Sequence, residues 1–143
     1  MKKLFSITIV CAIMLAMFAC MGESEYHQTY FVRPSSGAAL ITAEGGIDSM
    51  VFVTTESYTL TTTLEASDTT GGRWFSYPDF FNSYESTTAN TIVEFTMPIT
   101  FTPNTTNKQR TVMFTINAGE YTASCVFVQD TIHPQAIDTL ALE

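Results

Sequence analysis

Basic residues are scarce in this 143-residue chain, where six Lys and Arg face fourteen Asp and Glu for a formal charge of −8. A surface so acidic repels phosphate backbones, which argues against a nucleic-acid partner. Histidine and cysteine are scarcer still. His27 and His133 lie near the two ends of the chain, and the three cysteines are Cys11, Cys20 and Cys125. Three thiols cannot form a disulfide framework, and no cluster of ligands with metal-site spacing is present. A catalytic thiolate wants a neighbouring base and partial exposure. Cys125 instead sits in YTASCVFVQ, an apolar run in which a small buried thiol is expected. The G-x-S-x-G elbow, H-E-x-x-H, C-x-x-C and P-loop motifs are all missing. Acid pairs such as Asp79 with Glu85 are too common to signal a glycosidase. The expectation is a non-enzyme without cofactor or metal.

One long apolar run does exist, at the N-terminus. Lys2 and Lys3 precede a charge-free stretch from Leu4 to Phe18, and Ala19 leads into Cys20. The stretch is too short and wrongly flanked for a transmembrane helix and has the anatomy of a secretory signal. Its Ala-Cys ending, in place of an A-x-A site, resembles a bacterial lipoprotein signal, with Met17 where leucine or valine is commoner. The resemblance implies cleavage before Cys20 and lipidation of its sulfur, so that the membrane is reached through the acyl chains. The alternative is a plain signal with an incidental cysteine. Each buried methylene contributes about 0.8 kcal/mol, and more than one chain makes an anchor stable. Loss of residues 1–19 leaves four basic against fourteen acidic residues, a net charge near −10. The segment Met21-Gly22-Glu23-Ser24-Glu25 resembles the acidic export tags of Bacteroidetes lipoproteins, which implies the outer face of the outer membrane. The expected organisation is a signal peptide at 1–19, an acidic tether at 20–28, one domain at 29–130 and a tail at 131–143.

The body of the chain is strand-like. Thr, Val, Ile, Phe and Tyr dominate, and clusters of Gly, Asn, Asp and Pro separate the runs. Strands are expected at Thr29–Arg33, Ala39–Ala43, Ser49–Thr55, Tyr58–Leu64, Trp74–Tyr77, Ile92–Phe101, Thr111–Asn117 and Tyr121–Gln129. Tyr58, Leu60, Thr62 and Leu64 alternate with threonines, giving one wet face. Val112, Phe114 and Ile116 should face inward. Pro98 cannot donate to a ladder, so it marks an edge, a bulge or a change of sheet. Seven or eight short strands without a βαβ rhythm define an all-β, immunoglobulin-like antiparallel sandwich. A domain of this length can bury a core without disulfides.

The run from Gly45-Gly46 to Thr55, the later Trp74, the stretch PNTTNKQRTVMFTI (Pro103 to Ile116) and the terminal Gln129 together resemble a BACON domain. This immunoglobulin-like module of Bacteroidetes is often found beside surface polysaccharide-degrading enzymes. The resemblance covers Phe31 to Gln129 and implies a sandwich with a carbohydrate-related surface role. Physically, its residues suit a scaffold. Gly45 and Gly46 supply positive φ for a turn, Asn104 can cap a turn, and Arg110 can tie down carbonyls or pair with a carboxylate. Gln129 suits a backbone hydrogen bond at the sheet edge, and Trp74 suits the buried tryptophan of such sandwiches.

The stretch Gly71–Glu85 (GGRWFSYPDFFNSYE) is the candidate binding segment, because sugars offer C–H faces to aromatic rings and hydroxyls to polar side chains. Arg73, Asp79, Phe80, Phe81 and Tyr84 are the candidate glycan contacts; the three rings could equally form a lid over the end of the core. The Asp-Ser/Thr sequences at Asp48-Ser49, Asp68-Thr69, Asp130-Thr131 and Asp138-Thr139 resemble acceptors of Bacteroidetes O-glycosylation. Ser49, Thr131 and Thr139 are the candidates there, Asp48 being expected in a turn. Two functions follow as expectations: capture of polysaccharide or mucin glycans at the surface, or a spacer or protein-interaction subunit that binds no glycan.

Overall fold

Val112, Phe114 and Ile116 alternate with Thr111, Met113 and Thr115, and the alternation becomes the two faces of one strand, with the first three fully buried. The computed structural model describes residues 28–88 and 91–132. Its strands are β1 (Thr29–Arg33), β2 (Ala38–Ile41), β3 (Gly46–Thr54), β4 (Tyr58–Leu64), β5 (Phe75–Ser76), β6 (Ser83–Tyr84), β7 (Val93–Phe101), β8 (Arg110–Ala118) and β9 (Tyr121–Gln129). A single 3-10 turn, Asp79–Phe81, is the one helical element among the described residues. The signal segment, Cys20, both histidines and Thr139 lie outside the described residues.

Two sheets face each other, in the orders β1-β3-β7-β5 and β2-β9-β8-β4-β6. Met50, Phe52, Met97 and Ile99 from the first meet Val112, Phe114, Cys125 and Phe127 from the second, all without solvent exposure. An all-β sandwich is therefore what the fold is. It departs from a purely antiparallel plan in one place: β2 runs parallel to β9, from Ala38↔Val126 to Ile41↔Gln129. The chain leaves β1 through Pro34–Gly37, changes sheet and continues, so β2 reaches β9 from the same direction in which β1 was travelling.

Pro98 marks an edge. β3 and β7 keep unbroken register through Ser49↔Pro98, while β5 covers β7 only at Thr100 and Phe101. The Pro98 ring therefore sits beside the uncovered side of β7, where the missing N–H costs no ladder bond and discourages pairing with another chain.

Glycine at position 45 is required by contact as well as by conformation. Its φ is +72°, and a Cβ there would collide with the Phe101 carbonyl. Strand β3 begins directly after it, at Gly46↔Phe101. Asp48, expected in a turn, is consequently inside the strand opposite Ile99, and Ser49 is half-buried beside it.

Cys125 is fully buried, its thiol donating to Met50 Sδ at 3.3 Å, and burial pushes the thiol pKa up to about 12. Such a group stays protonated and packs as a small apolar residue.

Candidate functional site

The segment Gly71–Glu85 divides into an anchored half and a presented half. Trp74 is only 2 % exposed, and its ring packs against Phe75 and Phe101 at centroid distances of 5.1 and 6.0 Å. Its indole N–H must find a partner when buried. It donates to Asp68 Oδ2 at 2.7 Å, while Asp68 Oδ1 accepts from the Thr70 N–H and hydroxyl at 2.7 and 2.6 Å. Burial works against the Asp68 anion, yet these hydrogen bonds and the nearby Arg110 guanidinium outweigh it and hold the carboxyl below its ordinary value. Arg110 itself lies over the Trp74 ring, 6.0 Å from the centroid. The alternatives of turn carbonyl or carboxylate for Arg110 thus resolve into an aromatic face with a carboxylate close by.

Strand β5 contains only Phe75 and Ser76, too little to enforce alternation. Phe75 therefore also turns toward the core, half-buried against Phe114 at 5.7 Å, with Tyr77 stacked beside it at 6.5 Å. The Tyr77 hydroxyl donates to Asn82 Oδ1 at 3.0 Å; burial, then the Asp79 charge, raise its pKa.

Pro78 and the following 3-10 turn then point successive side chains apart. Asp79 and Phe80 face solvent, Phe80 with 73 % exposure, and Phe81 is 6 % exposed within the core cluster. The Phe80 and Phe81 ring centroids are 4.4 Å apart, so the exposed ring rests on the buried one. Tyr84 is half-buried, 6.0 Å from Tyr58 and 5.0 Å from Phe95. The three rings expected together as a platform or a lid are divided between those roles. Phe81 belongs to the core cluster and Tyr84 packs against it, and Phe80 is left as the exposed ring. Arg73 is exposed, its Nε donating to the Thr70 carbonyl at 3.1 Å.

The scaffold residues are built in tightly. Asn104 is fully buried; its amide donates to the Lys108 and Asp130 carbonyls at 2.8 and 2.9 Å, and its Oδ1 accepts from the Thr106 N–H and hydroxyl. Gln129, also fully buried, donates to the Thr102 carbonyl at 2.8 Å and the Thr42 carbonyl at 3.4 Å, bridging the sheets rather than closing an edge. Its Oε1 finds no partner among the described residues, and neither does the Tyr58 hydroxyl, whose pKa burial and Tyr84 push up to about 12. Thr131 is half-buried just beyond β9, its N–H donating to Asp130 Oδ1 at 2.7 Å. Among the described residues no group of three His, Cys, Asp or Glu could hold a metal.

Sequence reasoning missed Asp68 as the partner of Trp74. A signal was available in Asp68-Thr69-Thr70, the pattern in which an aspartate bonds backbone two residues on.

No protein-family model matches the chain, and no curated protein matches it either. Solved structures do. The fold is similar to part of a Bacteroides ovatus GH5 xyloglucanase in complex with a XXXG heptasaccharide, with a TM-score of 0.53 and 17 % identity. The match covers 78 % of this chain and 20 % of that one, so the chain spans about a fifth of the enzyme's length. An NMR structure of a protein from Bacteroides thetaiotaomicron is similar at a TM-score of 0.46 and 19 % identity, over 78 % of this chain and 92 % of that one. The likeness to the xyloglucanase segment defines the class as a β-sandwich module and nothing narrower.

Proposed function

We propose that this protein is a non-catalytic, lipid-anchored surface module of the BACON type that contacts polysaccharide or mucin glycans. The observation that carries the proposal is Phe80: a large ring, 73 % exposed, fixed from below by Phe81 and flanked by Asp79 and the Tyr77–Asn82 hydrogen bond. An exposed ring beside polar groups suits the C–H face and the hydroxyls of a pyranose. Further support comes from the xyloglucanase, whose similar segment belongs to a protein solved with a bound oligosaccharide. The acidic tether and Cys20 support placement at the outer membrane surface.

The test is affinity electrophoresis of the protein through gels containing xyloglucan, other plant polysaccharides or mucin. Retardation of the wild type that Phe80→Ala reduces, without change in melting temperature, is the expected result. Absence of retardation in every gel rejects glycan contact. Anchoring is checked separately by metabolic labelling with a fatty acid, where label retained by Cys20→Ser overturns the lipidation.

A protein-interaction module is the second reading, and one observation favours it. Tyr30 and Val32 on β1, Leu40 on β2 and Ile47 on β3 are exposed apolar side chains close to the two edge strands. Serine at Tyr30 and Leu40 together would then abolish partner recovery by crosslinking on intact cells and leave glycan gels unchanged.

A further inference from the structure

Three of the four basic side chains among the described residues gather at one place in an acidic molecule. The loop after β4 and the turn before β8 enclose an open cleft of about 160 Å³, whose walls include Glu65, Asp68, Thr70, Lys108, Gln109 and Arg110. Arg73 borders it through its hydrogen bond to the Thr70 carbonyl. Both walls are fixed. Asp68 holds one through Thr70 and Trp74, and buried Asn104 holds the other by binding the Lys108 carbonyl and Thr106. A cleft held open in advance costs little ordering on binding.

The polar groups in it are unequally occupied. Asp68 has both oxygens committed, to Thr70 and Trp74. The Arg110 guanidinium stacks over Trp74, and neither it nor the Lys108 ammonium makes a hydrogen bond or an ion pair within 4.0 Å of a described residue. Two cations with free donors therefore face a shared space, while the Asp68 carboxylate that interacts with Arg110 is already hydrogen-bonded and Glu65 stands on the wall as an acceptor. Charge-assisted bonds to an anion are the strongest that such donors can make. Ligand pockets for drug-sized molecules run to roughly 300 Å³ or more, so this smaller volume suits one sugar residue rather than a chain.

We propose that the cleft binds the anionic substituent of an acidic sugar, a uronate carboxylate or a sulfate ester, between Lys108 and Arg110. The ring hydroxyls then donate to Glu65, and Gln109 completes the polar wall. The proposal rests on the glycan-contact reading above and extends it from Phe80 to a second, charge-selective position.

The test runs the full-chain protein through gels containing polygalacturonate, a sulfated neutral galactan, or neutral xyloglucan. Retardation by at least one acidic glycan, weakened fivefold or more by Lys108→Gln and by raised salt but not by Phe80→Ala, supports the cleft. Polygalacturonate alone identifies the carboxylate, and the sulfated galactan alone identifies the ester. Lys108 is exposed, so its variant should keep the wild-type melting temperature; Arg110→Gln, which also uncovers Trp74, is secondary. Retardation by xyloglucan only, abolished by Phe80→Ala, overturns the cleft and leaves the first reading intact. Acidic retardation indifferent to Lys108→Gln also overturns the cleft. No retardation by any glycan overturns both.

Discussion

Trp74 and Phe80 belong to one aromatic segment, yet the structure uses them in opposite ways. Trp74 is closed in by Phe75, Phe101 and Arg110 and tied by its N–H to Asp68. Phe80 makes its ring contact with Phe81 and otherwise faces water. The difference follows from what each ring can offer. An indole has a polar edge that a half-buried carboxylate can satisfy, so it can be both core and anchor for a loop. A phenyl ring has no such handle, and on a 3-10 turn only one of two adjacent rings can reach the core. Abundance of aromatics in a sequence therefore says little about binding until each ring's side is known.

Removing the anchored ring should sharpen this contrast most. Trp74→Ala is expected to cost about 3–5 kcal/mol through lost burial and an exposed cavity, read by denaturant titration. A loss under about 1 kcal/mol would mean that the ring is not packed as described. Phe81→Ala should follow at about 3 kcal/mol, because its ring is buried under Phe80. If Phe81→Ala leaves stability untouched but weakens glycan retardation, the two phenylalanines have exchanged roles.

Asp68→Asn should cost about 1–2 kcal/mol, since a charge-assisted bond to the indole and the bonds from Thr70 are weakened. The sign of its pH dependence is fixed. The native carboxyl lies below its ordinary value of 3.8, so its stabilising contribution is present above that pH and fades as pH falls through the lower native value. The gap between wild type and Asp68→Asn should therefore be full at neutral pH and shrink in acid below about 3.8. A gap that widens there would contradict the anchoring of Trp74. Phe80→Ala should have the smallest effect on folding, within about 0.5 kcal/mol, as for exposed positions without a special contact. A melting temperature that falls as far as for Phe81→Ala would make Phe80 part of the core cover.

Strand positions were readable because a half-buried strand writes its faces as alternation: β1 and β9 have the expected bounds, and Val112, Phe114 and Ile116 point inward. Other features were less legible. Asp48, expected in a turn, lies in a strand instead, because the turn ends at Gly46 and the ladder to β7 begins there. Composition does not distinguish Tyr84 and Phe81 from Phe80, since each has a polar residue on at least one side. The cleft is not legible either, because Asp68 and Arg110 are far apart in the chain and meet only where β4 and β8 pair side by side in one sheet.

What the sequence alone determined is the set of local choices: strand periodicity, the turn at Gly45-Gly46 and the neutrality of a thiol placed in an apolar run. Each depends on a residue and its near neighbours, through backbone conformation or burial of one face. The tertiary structure decided which aromatic side chain is anchor, cover or exposed ring, the parallel pairing of β2 with β9, and the meeting of Asp68, Trp74 and Arg110. These depend on where distant strands bring cavity, carboxylate and cation together, and no pattern within one segment encodes that.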